Sequence, residues 1–261
     1  MLAALPKVAP VVMCLAASSA LSQVTGGLPR NPDWLISPET YRATIVAEDS
    51  GEMLHMQNGL IRRTFRLKPN AATVDVRSLV TGETYVRAVW PEAVLQINSR
   101  RVAVGGLEGQ IEQGYVLTEW LDSLRSDTAA FQFAGYECGQ TVAPFPYHRK
   151  RWGTDALWPP PGRSLTLRFR HASATLGGID VAVHYEIYDG IPLIGMWFEI
   201  HNGRKSPLRF GEQDRVLDGR LHVHLTGGLR PYHTVPPGMP AAAGAGCRAG
   251  AGGSVHIVQD I

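Results

Sequence analysis

Alternation along residues 178–210 gathers most of the side chains in this chain that could do chemistry. His184 and Glu186 on one strand, and Trp197, Glu199 and His201 on the next, fall on the polar face of that alternation. An indole beside carboxylates and imidazoles is what a sugar site needs, because a pyranose offers an apolar C–H face for stacking and hydroxyls for hydrogen bonding. The same alternation also marks any half-solvated sheet face, or one covered by another domain. Glu186 and Glu199 do not suit a retaining glycosidase: about the intervening turn they fall four residue steps out of register, roughly 13 Å apart, against the ~5–5.5 Å such a pair requires. A second group lies in the proline-rich run from Pro144 to Pro161, where Trp152, Asp155 and Trp158 stand among the basic residues 148–151. Aromatics on a proline-stiffened loop can present a ligand surface at little entropic cost, or simply anchor a long loop. His222 and His224, two apart, could begin a zinc site, but no third ligand is identifiable. No phosphate loop, nucleophile elbow or zinc-protease helix occurs. The residues alone therefore suggest no metal and no cofactor.

The elements that must position these side chains read as strands. Ile179, Val181, Val183, Tyr185 and Ile187 alternate with polar residues, and Ile194, Met196, Phe198 and Ile200 repeat the pattern after Asp189-Gly190. Antiparallel pairing about that turn puts both apolar sets on one face. Asn202-Gly203 then suggests a third strand of the same meander through Leu208 and Phe210. Asn58-Gly59 predicts a hairpin between residues 53–56 and 60–67. Further strands are expected over 73–79, 84–89, 93–98, 131–137 and 164–170, and one short helix over 118–125, from Trp120, Leu121 and Leu124. Many strands with almost no helix predict an all-β, two-sheet antiparallel β-sandwich.

Composition agrees and excludes alternatives. Of 261 residues 44% are hydrophobic and 18% charged, with a net charge of +2. So much apolar surface excludes disorder throughout, and so small a charge argues against nucleic acid or an anionic membrane as partner. Residues 1–22 carry Lys7, an uncharged stretch and a small-residue ending, the order of a secretory signal peptide, so a secreted or periplasmic protein is expected. Residues 23–40 then form a linker, 41–225 the sandwich, and 226–261 a Gly/Ala/Pro-rich tail expected to be disordered, with a short strand conceivable at Val255–Val258. Cys138 and Cys247 could pair in an oxidising compartment, though nothing in their spacing supports it.

Several runs carry a resemblance. Residues 58–65 (NGLIRRTF), 69–74 (PNAATV), 81–83 (TGE), 91–93 (PEA), 104–110 (VGGLEGQ), 119–122 (EWLD), 155–160 (DALWPP) and 184–193 (HYEIYDGIPL) are similar, in order, to the N-terminal domain of bacterial α-galactosidase-like glycoside hydrolases. The resemblance implies a galactose-mutarotase-like β-supersandwich, which in such proteins precedes a (β/α)8 barrel holding the catalytic aspartates. It implies a carbohydrate partner of galactoside type, or a catalytic barrel absent from this chain, with Trp152, Asp155 and Trp158 at the rim of the active site. The pattern departs after Phe210, which suggests a truncated or frame-shifted product. Three functions follow as expectations: a non-catalytic carbohydrate-binding or barrel-supporting domain, a sugar epimerase using a His/Glu acid–base pair, or a purely structural interaction domain.

Overall fold

The computed structural model describes residues 32–143, 147, 157–210, 215–217, 219–226 and 254–258, and from Phe210 onward the backbone path alone. The chain divides into two units, residues 1–32 and 33–261. The first lies outside the described residues apart from Pro32, and with it the expected signal peptide. The second is built from strands β1 (Thr44–Ala47), β2 (Met53–Gln57), β3 (Ile61–Arg66), β4 (Ala72–Ser78), β5 (Ala93–Ile97), β6 (Arg100–Val104), β7 (Gln132–Gly139), β8 (Gly162–Arg170), β9 (Ile179–Tyr188), β10 (Ile194–Asn202), β11 (Leu208–Phe210), β12 (Arg215–Leu217), β13 (Gly219–Thr226) and β14 (Ser254–Val258). Among the described residues no helix is long and apolar enough to cross a membrane.

These strands form sheets in the orders β1-β2-β3-β4, β12-β11-β5-β6 and β14-β13-β10-β9-β8-β7. One apolar cluster joins them. Leu165, Leu167 and Phe169 of β8, Val181, Val183 and Tyr185 of β9, and Phe198 of β10 pack with Leu54 and Phe65 of the first sheet and with Leu95 and Val104 of β5 and β6. The protein is thus an all-β sandwich: the six-stranded sheet forms one layer and the two four-stranded sheets the other. Phe65, Phe131 and Phe169 are completely buried, each worth about 1.5–3 kcal/mol of hydrophobic stabilisation.

The Asn58-Gly59 hairpin forms as the sequence suggests, with Gly59 at a φ of 86°. Asn58 does more than turn the chain. Buried, it accepts hydrogen bonds from the Leu60 and Ile61 amides and donates to the Tyr188 and Ile191 carbonyls at 2.8 and 2.7 Å, tying the hairpin to the turn after β9.

Several elements differ from the expectation, each for a local reason. The β5 strand turns back at Asn98 and Ser99, with φ of 49° and 62°, creating the unanticipated β6. Residues 84–89 contribute only one bridge, Arg77 to Thr84. The Gln110 side chain takes the backbone groups a strand would use, accepting from the Val89 amide at 2.8 Å and donating to the Arg87 carbonyl at 3.1 Å. The short helix is a 3-10 turn, Thr118–Ser123.

The largest correction concerns the third strand of the meander. Asn202 binds the Arg204 amide and the Ser206 carbonyl, the Gly203 amide reaches back to Gly178, and buried Leu208 enters the core from the other layer. Hence β11 joins β5, with Asn98 and Arg209 exchanging backbone and side-chain bonds, and β13 takes the edge of β10 instead. Within the segment expected to be disordered, β14 pairs in parallel with β13. Cys138 is free and exposed; Cys247 lies outside the described residues.

Candidate functional site

The β9–β10 register matches the sequence reading: Val183 faces Phe198 and Trp197 faces His184, while Glu186 pairs with Gly195 and Glu199 with Ala182, four steps apart. His184, Trp197, Glu199 and His201 therefore share one face of the six-stranded sheet, opposite the apolar cluster. The His184 imidazole stacks on the Trp197 indole, 5.1 Å between centroids and 5° from parallel, and its Nδ1 shares a 3.0 Å hydrogen bond with Thr166. Its Nε2 lies 3.9 Å from a Glu199 oxygen, and His201 Nδ1 lies 3.9 Å from Asp180. One face of the indole is thus occupied by a neighbour, which reduces its use as a sugar platform.

Arg168 and Arg170 complete this surface. Arg168 makes two 2.9 Å bonds to Glu137, which hold the Glu137 carboxyl below its ordinary pKa, and Arg170 donates to Asp180 at 3.0 Å. Between them opens a shallow depression of about 250 Å³.

Glu186 projects from the same face of β9 as His184 but has a different fate. It is buried, its Oε1 accepting from the Val142 amide at 2.7 Å and its Oε2 from the Tyr188 hydroxyl at 3.0 Å. Burial pushes its pKa up, against the lowering effect of those two bonds, and burial likewise raises that of Tyr188. Small neighbours make the cover possible: Gly195 of β10 and Ser164 of β8 flank Glu186 in register, so the chain after β7 can fold down onto it.

Glu186 thereby fixes the stem of the loop after β7, which a 2.7 Å bond from Thr141 Oγ1 to the Pro160 carbonyl closes. On that loop Trp158 and Tyr147 contact each other at 5.2 Å and stay 39% and 50% exposed. Trp152 and Asp155 lie outside the described residues. Tyr147 was not singled out by the sequence reading, although it stands in the same proline-rich run.

A buried ionic network also escaped that reading. Arg63 donates to Glu92 at 3.1 Å and to Thr73 Oγ1, and lies 4.4 Å over the Tyr185 ring; the Tyr185 hydroxyl and the Thr73 amide both donate to Glu92. Burial raises the Tyr185 pKa well above the usual phenol. Its residues appear among the runs that carry the resemblance, but nothing in their spacing brings residues 63, 73, 92 and 185 together.

Among the described residues no group of three or more His, Cys, Asp or Glu side chains is placed to hold a metal ion. His222 and His224 sit on β13 opposite Glu199 and Trp197 in register. No protein-family model, curated protein or solved structure matches the chain.

Proposed function

We propose that this protein is an exported, non-catalytic carbohydrate-handling β-sandwich of the α-galactosidase-like glycoside hydrolase type, with galactosides or a catalytic barrel domain as its partner. The supporting observation is the exposed Tyr147–Trp158 pair on a stem pinned at Val142 and Thr141. Exposed aromatic rings on a fixed support suit the apolar face of a pyranose, because little ordering accompanies binding. The epimerase reading, with His184 or His201 as acid and Glu186 or Glu199 as base, loses Glu186, whose oxygens are both engaged and buried, which leaves Glu199, 3.9 Å from His184, as its base.

Calorimetric titration with galactosides tests the proposal. Binding at millimolar ligand, weakened at least tenfold by Trp158→Ala and by Tyr147→Ala, is expected. No heat from any galactoside at that concentration overturns carbohydrate binding.

A second reading has its own observation. The charges on the sheet face pair with one another, Arg168 with Glu137 and Arg170 with Asp180, as on a polar surface that packs against another domain. Inert behaviour toward sugars together with binding to a separately produced barrel domain would select it.

A further inference from the structure

Ala182 interrupts the charged face. Across the strands it lies between Arg168 of β8 and Glu199 of β10, and along β9 between Asp180 and His184. Long polar side chains around one methyl group leave the depression of about 250 Å³. Pockets for drug-sized ligands run to about 300–1,000 Å³, so the room here suits one small unit. Arg168 and Arg170 bring cationic donors to its wall, Asp180 and Glu199 bring anionic acceptors, and His184 and His201 bring imidazoles. Equal numbers of opposite charges give no net pull on an ion. A neutral polyol, in contrast, can accept from guanidinium and donate to carboxylate through charge-assisted bonds. The wall is also set before a ligand arrives, Arg168 by its two bonds to Glu137 and Arg170 by its bond to Asp180, which lowers the ordering cost of binding.

We propose that this depression is a second sugar subsite, holding a single neutral hexose-sized unit by hydrogen bonds and separate from the aromatic loop. The proposal rests on the carbohydrate reading above. From Glu186 under the loop stem to Ala182 is four residues along β9, roughly 13 Å at ~3.3 Å per residue. An oligosaccharide long enough to span that distance would reach from the depression to the loop stem, whereas a monosaccharide fills the depression alone.

Amide shift mapping by NMR, on the full chain titrated with galactose and with a linear galacto-oligosaccharide, tests it. Galactose should move the amides of residues 168–170 and 180–182. Ala182→Leu, which fills the depression without removing a charge, should weaken that binding at least tenfold, and Ala182→Ser should leave it intact. The wild-type map reads the site even if Ala182→Leu fails to fold. Unmoved amides at 180–182, or a well-folded Ala182→Leu with unchanged affinity, overturns the subsite. If oligosaccharide binding then still depends on Trp158, the carbohydrate reading stands without the subsite; if no saccharide binds the wild type, both fall.

Discussion

Glu92 and Glu186 are both carboxylates withdrawn from water, and their surroundings treat them in opposite ways. Glu92 meets a guanidinium: Arg63 approaches to 3.1 Å, with Thr73 and Tyr185 supplying further donors. Glu186 meets only neutral donors, an amide and a phenol. The Glu92 region joins β3, β4 and β9 across the core, whereas the Glu186 region holds a surface loop. A cation beside a buried acid compensates its ionisation, and neutral dipoles do so only in part. The lesson is that one acid braces the two layers and the other latches a loop.

That contrast can be broken experimentally. Glu92→Ala strands Arg63 in the core and should cost about 3–5 kcal/mol, read from urea unfolding midpoints. A cost under 1 kcal/mol would show that Arg63 finds other partners. Glu186→Ala leaves the Val142 amide without its acceptor and should cost less, about 1–3 kcal/mol. Hydrogen exchange should localise that effect, with Val142 losing protection while Val183 keeps it. Equal loss at both positions would make Glu186 part of the core.

The pH dependence sharpens the comparison further. Because burial raises the native pKa of Glu186 above its ordinary 4.5, its protonated form is the better tolerated in the fold. The stability it contributes is complete below pH 4.5 and is lost as pH rises through the raised native value. Glu186→Gln should flatten this decline in unfolding midpoints measured from pH 4 upward, and an unchanged slope would refute the assignment. Trp158→Ala, on the exposed loop, should change stability by about 0.5 kcal/mol or less. A larger loss in thermal denaturation would mean that the ring packs as part of the fold.

The β9–β10 hairpin was legible in the sequence because period-2 alternation and a single turn fix both register and face, down to the offset between Glu186 and Glu199. The exchange of β11 for β13 was not, since the choice of edge depends on Leu208 finding core from another layer and on Asn98 capturing Arg209. Parity grouped Glu186 with His184, yet the cover over it comes from Val142, forty-four residues away in sequence. Alternation tells which side of a sheet a residue occupies; it is silent on what lies above that side. The depression over Ala182 was hidden for a similar reason, being defined by a small residue among the chemically active ones.

The Asn58-Gly59 turn bears on how the molecule ages. Asparagine followed by glycine loses ammonia readily, because the next backbone nitrogen can reach the side-chain carbon. In the fold, hydrogen bonds from two amides and to two carbonyls hold that side chain in one orientation. Conversion to aspartate would replace the donor with an oxygen facing the Tyr188 and Ile191 carbonyls. Damage made while the chain is unfolded would then hinder the closure of that hairpin onto the turn after β9, so that correct folding and chemical longevity depend on the same amide.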